Sequence, residues 1–143
     1  MKNKFKEIEV NINAQGVCEI TLNRPDKHNA MSRKMIDELE EVGQHLKSQD
    51  SIRVVFLKAN GKTFCAGGDL NWMKDQEKKS KEGKLVEARA LAKMLATMNS
   101  LPMPLISLVS GSAFGGGLGL ISVSDTVIVL KLQSLASQKQ GLG

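Results

Sequence analysis

The 143-residue sequence has no tyrosine, one tryptophan and four phenylalanines, so aromatic side chains make up only 3% of it. Its core must be filled by aliphatic side chains and methionine, and the stacking platforms of single-strand nucleic-acid binders are absent. Cysteine is equally scarce. Cys18 and Cys65 are too few for a disulfide framework and fit a reducing cytoplasm. With His28 and His45 as the two histidines, no zinc-ligand spacing arises and no metal is expected. No apolar run reaches the roughly 18 residues of a membrane span. The basic start, Met1 to Lys6, leads into no apolar stretch, so neither a signal peptide nor a membrane partner is expected and the predicted location is cytoplasmic. The net charge of +5 is spread among acids. That favours attraction of small anions and gives no support for nucleic-acid binding.

What is present suffices for one modest domain, since 41% of the residues are hydrophobic. Ile8–Ile12 and Val17–Leu22 alternate apolar and polar around Asn13-Ala14-Gln15-Gly16, which predicts an antiparallel hairpin. Arg24-Pro25-Asp26-Lys27 then stops the second strand. Ser32 is placed to cap a helix whose Met35, Ile36, Leu39, Val42 and Leu46 share one face, with Gly43 as its weak point. Ile52–Leu57 reads as a buried strand, and Asp69 as the cap of the helical pattern that follows. The mixed charges of 74–84 read as a solvated face or loop. Leu85, Ala88, Leu91, Ala92, Leu95 and Met98 predict a further helix with an apolar stripe, ended by Pro102 and Pro104. Pro104–Val109 is then a buried strand, and Thr126–Leu130 continues as a strand whose apolar surface is expected to be exposed. Strands alternating with helices imply right-handed crossovers and a largely parallel α/β sheet.

Two turns rich in small residues each follow a strand and open a helix: Phe64-Cys65-Ala66-Gly67-Gly68-Asp69-Leu70 and Gly111-Ser112-Ala113-Phe114-Gly115-Gly116-Gly117. Ligands of parallel sheets bind beyond the carboxyl ends of the strands. Main-chain N–H groups converging there from two turns make an oxyanion hole, suited to a thioester enolate or a tetrahedral intermediate.

With Asn23-Arg24-Pro25-Asp26-Lys27-His28-Asn29-Ala30-Met31 added, these segments resemble, in order and separation, the three signature segments of the enoyl-CoA hydratase/isomerase (crotonase) family. Asp69-Leu70-Asn71-Trp72-Met73 is similar to the branch acting on methylglutaconyl-CoA and related branched esters. The resemblance implies a crotonase-like spiral of ββα units, of which residues 1–130 are the N-terminal part. It implies that Gly68 and Gly116 donate the oxyanion-hole N–H groups. It implies that Lys27, His28, Ala30, Ala66, Gly67, Asp69 and Leu70 lie along the coenzyme A of an acyl-CoA substrate, with no separate cofactor. Lys27 also suits a phosphate as a point charge. Homotrimers or hexamers are the family's assembly, built with C-terminal helices that have no counterpart in this sequence.

Two departures stand out. Family hydratases use two glutamates to move protons, and the position of the first is Gly119. Residues 131–143 contain no acid at all; Gln138 lies near the expected place of the second, and an amide cannot exchange the proton. The loss of pattern after Leu130 leads to the expectation of a truncated product with a divergent tail over 131–143. Two readings follow: a hydratase or isomerase of acyl-CoA esters, or a catalytically incomplete fragment that binds them weakly or serves in an assembly. A nicotinamide dehydrogenase is disfavoured, because Gly117-Leu118-Gly119-Leu120-Ile121-Ser122 lacks the last glycine or alanine of the fingerprint. Ser110 and Ser112 form no nucleophile elbow, and Cys65 has the same shortage of bases.

Overall fold

The computed structural model describes residues 4–113 and 116–130. The predicted hairpin is present as β1 (Ile8–Ile12) and β2 (Val17–Leu22), antiparallel with Ile8 opposite Leu22. Gly16 turns it at a φ of +83°, in the left-handed region that a side chain resists. A short 3-10 turn at Pro25–Lys27 follows, and the proline contributes the fixed φ that such a turn starts from.

Helix α1 (Arg33–Lys47) begins where the sequence places it: the Ser32 hydroxyl accepts the Met35 N–H at 3.1 Å. Its Met35, Ile36, Leu39, Val42 and Leu46 are completely buried, each contributing about 1.5–3 kcal/mol relative to exposure. Gly43 is no weak point. A Cβ there would lie 2.5 Å from Thr97 Cγ2, so the glycine lets the later helix that carries Thr97 approach closely.

The strand expected at Ile52–Leu57 is displaced by two residues, to β3 (Val54–Ala59). The Ile52 N–H closes a turn onto Gln49 and the Arg53 N–H donates to the Gly16 carbonyl, so the ladder starts only at Val54 opposite Val17. After β3 come β4 (Thr63–Cys65), α2 (Leu70–Glu77) and α3 (Lys81–Asn99). The 74–84 segment is thus one solvated helix end, a break and a second helix start.

The stripe expected on α3 is corrected by its packing. Leu85, Ala88 and Ala92 are exposed and Leu91 and Leu95 only partly covered, while Glu87, Met94, Thr97 and Met98 are buried. Arg33 and Lys79 draw the Glu87 carboxylate inward from both sides. The contact with Gly43 sets the phase at the other end.

The remaining elements are β5 (Leu105–Ser110), β6 (Ser112–Ala113), α4 (Gly116–Ser122) and β7 (Thr126–Leu130). The main sheet runs β1-β2-β3-β5-β7, parallel except for β1. β4 and β6 form a separate parallel pair beyond the carboxyl ends of β3 and β5. Asp125 fastens β7 to the sheet: its N–H donates to the Leu105 carbonyl, and its carboxylate accepts the Leu105 N–H at 2.7 Å. All five residues of β7 are nonetheless exposed, Val129 to 74%. The expected tail over 131–143, with Gln138, lies outside the described residues.

Candidate functional site

The first signature segment is shaped by an asparagine. His28 and Asn29 both adopt left-handed backbone, at φ values of 53° and 54°, a conformation asparagine tolerates well. Asn29 is fully buried. Its side-chain oxygen accepts the Arg24 N–H at 2.7 Å, and its amide donates to the carbonyls of Asn60 and Thr63 at 2.7 and 2.8 Å. One side chain therefore closes the 24–29 turn and ties it to the loop before β4. The His28 ring faces Thr63, with Nδ1 3.3 Å from the hydroxyl.

The second segment is laced onto the first by main-chain bonds. The Ala66 N–H donates to His28, the Met31 N–H to Gly67 at 2.7 Å, and the Asp69 N–H to Met31 at 2.9 Å. Met31 and Gly68 thereby form a parallel bridge. In such a bridge the N–H and carbonyl of the residue between the two bonds point away from the partner strand. Among the described residues the Gly68 N–H has no hydrogen-bond partner. Gly67 supplies the bend at φ +99°.

Asp69 caps α2, its carboxylate accepting the Trp72 N–H at 2.9 Å and an Arg24 N–H at 3.1 Å. Burial pushes this carboxyl up, yet the Trp72 amide and the Arg24 guanidinium together hold it below the usual carboxylate range. Cys65 is different: burial raises its thiol, and among the described residues its one hydrogen-bond partner is the Gly67 carbonyl, at 3.9 Å. A protonated buried thiol is a poor nucleophile.

The third segment meets the second through β4 and β6, where Cys65 pairs with Ala113. Gly111 has a φ of +82°, and a Cβ there would overlap the Lys62 carbonyl. At Gly117 a Cβ would lie 2.7 Å from Cys65 Cβ. Gly116 opens α4; Phe114 and Gly115 lie outside the described residues. Gly119 faces α3, where an added Cβ would sit 3.3 Å from Leu95.

A cavity of about 490 Å³ lies between the first two segments, within the range of small-molecule sites. Of the sequence candidates, Lys27, His28, Ala30, Ala66, Gly68, Asp69 and Leu70 line it. The Gly67 carbonyl is bonded to the Met31 N–H, and Gly116 and Gly119 both belong to α4. Asp26, Asn71 and Lys74 also line the cavity, and sequence reasoning missed them. A signal existed for two of these: the cap at Asp69 starts a helix on which Lys74 lies three residues after Asn71 and four after Leu70, placing it beside both. Arg24 and Asn29 were likewise read only as parts of a motif.

Comparison with known proteins identifies the fold and the family. The family model for enoyl-CoA hydratase/isomerase matches residues 12–143. An enoyl-CoA hydratase/isomerase homologue of Bacillus subtilis (strain 168), YngF, is 38% identical over 125 residues, covering 86% of this chain and 46% of its own. The crystal structure of an enoyl-CoA hydratase from Shewanella pealeana superposes with a TM-score of 0.85 at 43% identity, covering 88% of this chain and 47% of that one. Pseudomonas aeruginosa AtuE gives 0.83 at 35% identity, covering 87% and 48%. The chain spans about half the length of the relatives it matches. Its fold is the corresponding part of the crotonase fold, and the chain belongs to the enoyl-CoA hydratase/isomerase family.

Proposed function

We propose that the chain binds an acyl-CoA thioester in the cavity between the first two segments and stabilises its enolate through the N–H groups of Gly68 and Gly116. The reaction is then hydration of an enoyl-CoA, with a branched acyl group as the favoured substrate. One observation carries the reading: the Gly68 N–H is turned away from Met31, lacks a partner among the described residues and belongs to a residue of the cavity wall. A donor held ready in this way strengthens as negative charge develops on the thioester oxygen, which is the condition for lowering a barrier rather than merely binding. Lys27 and Lys74 on the same wall suit the phosphates of coenzyme A.

Hydration adds a hydroxyl to C3 and a proton to C2, so it needs a group to take a proton from water and one to deliver it. Gly119 leaves the family's first glutamate position without a carboxylate. Asp69 cannot substitute while the Trp72 amide and Arg24 hold its charge. This observation favours a second reading, a chain that binds acyl-CoA without turning it over. Both are tested by measuring binding of butyryl-CoA and hydration of crotonyl-CoA and 3-methylglutaconyl-CoA on the purified chain and on Gly119→Glu. Binding with turnover supports the first reading, and binding with turnover only in the variant supports the second. A chain that binds neither butyryl-CoA nor crotonyl-CoA overturns both.

A further inference from the structure

Arg24 is three residues upstream of Lys27, outside the cavity wall, and its side chain is only 13% exposed. Each of its three guanidinium nitrogens has a partner. Nε contacts a Glu7 carboxylate oxygen at 3.0 Å, one Nη donates to the Ala30 carbonyl at 2.5 Å, and the other donates to Asp69 at 3.1 Å. Ala30 and Asp69 are the chain neighbours of Met31 and Gly68, the two residues of the parallel bridge. The fork therefore spans the bridge, gripping the residue before Met31 on one strand and the residue after Gly68 on the other. We infer that Arg24 and Asp69 are a positioning pair that fixes the direction of the Gly68 N–H, and that Asp69 acts through Gly68 rather than on the ligand.

Three physical points support this. An isolated bridge has only its two flanking bonds, here Met31 to Gly67 and Asp69 to Met31, and such a short ladder opens easily unless something else holds its strands together. A planar guanidinium with five donors can meet a carboxylate and a carbonyl at fixed relative positions, which an ammonium cannot do. Both Asp69 carboxylate oxygens are occupied, one by Trp72 and one by Arg24, so the side chain has its partners within the fold. With the charge of Arg24 matched by Asp69 and Glu7, the pair adds no net cation to the cavity.

The inference rests on the acyl-CoA reading only for its functional consequence, and two readouts keep them apart. The first is amide hydrogen exchange at Met31 and Asp69, relative to Val55, whose N–H bonds the Pro104 carbonyl in the main sheet. Arg24→Lys should raise exchange of the first two about tenfold relative to the third. Asp69→Asn, which keeps a capping side chain for Trp72, should act in the same direction and serves if the lysine variant does not fold. Unchanged relative exchange in the variants that fold overturns the pair. The second readout is the ratio of affinities for butyryl-CoA and free coenzyme A, which differ by the thioester that Gly68 would contact. Arg24→Lys, at a residue outside the cavity wall, should cut that preference about fivefold while leaving coenzyme A binding nearly constant. Equal losses for both ligands would overturn a positioning role. If the unaltered chain shows no preference for the thioester, the acyl-CoA reading fails and exchange alone decides the pair.

Discussion

The two glycine-containing turns do similar topological work and are held by different forces. The turn at Ala66–Asp69 is fixed by polar groups: main-chain bonds to His28 and Met31, the Arg24 fork and the Asp69 cap. In the other turn the described ends are constrained by contact, because Gly111 lies against the Lys62 carbonyl and Gly117 against Cys65, with no room for a side chain at either. A polar clasp tolerates changes of volume and is sensitive to charge. A steric contact is insensitive to charge and fails with one added methyl. Pieces of one site can thus respond to opposite kinds of perturbation.

That contrast is broken most severely at Gly111. Gly111→Ala adds a methyl that overlaps main chain in a left-handed conformation. It should cost about 4 kcal/mol or more, read as a collapse of the urea midpoint; a change under about 1 kcal/mol would mean that the contact yields. Gly117→Ala comes next, at about 1–3 kcal/mol, since Cys65 Cβ and carbonyl stand 2.7 and 2.8 Å from the new methyl. Chemical denaturation at two salt concentrations should give the same loss, as expected for a steric effect.

On the polar side, Asn29→Ala strands the Asn60 and Thr63 carbonyls and the Arg24 amide and places alanine at positive φ. About 2–3 kcal/mol should be lost, with the fold retained by circular dichroism. The smallest effect is the most diagnostic. Because the Asp69 carboxyl titrates below its ordinary value of 3.8, the native state favours its charged form. The stability it adds is complete above pH 3.8 and disappears as pH falls through the lowered value. Asp69→Asn should be less stable by about 1 kcal/mol at pH 7, and its melting temperature should converge on that of the unaltered chain in acid. Parallel melting curves across that range would place the charge outside the clasp.

Much of the fold was legible because local rules and tertiary packing agree in it. The hairpin, the Ser32 and Asp69 caps, and the parallel strands at Leu105–Ser110 and Thr126–Leu130 follow from pattern and capping chemistry. The misses share one cause, a partner distant in sequence. Gly43 looks like a helix defect until Thr97 is beside it. Glu87 looks solvent-facing until Arg33 and Lys79 meet it, and the phase of α3 moves with it. In the site, the glycines and Lys27 to Ala30 were found through the family resemblance. Arg24 and Asn29 were passed over because their importance lies in fixed angles to Asp69, Asn60 and Thr63, which spacing alone does not encode.

The bridge between Met31 and Gly68 has a consequence for how the chain can vary. Along a strand, successive amides face opposite sides, so the donor's direction depends on the parity of its place relative to Met31. Gly68 itself has no left-handed φ, and the nearest atoms to a methyl there would be Met73 Sδ and Cγ at 3.3 and 3.5 Å and the Trp72 ring at 3.6 Å. Replacing that glycine by alanine keeps the N–H in place. Inserting a single residue between Gly67 and Gly68 would turn the donor toward Met31, while inserting two would leave it facing away. In this segment length is therefore constrained more tightly than composition.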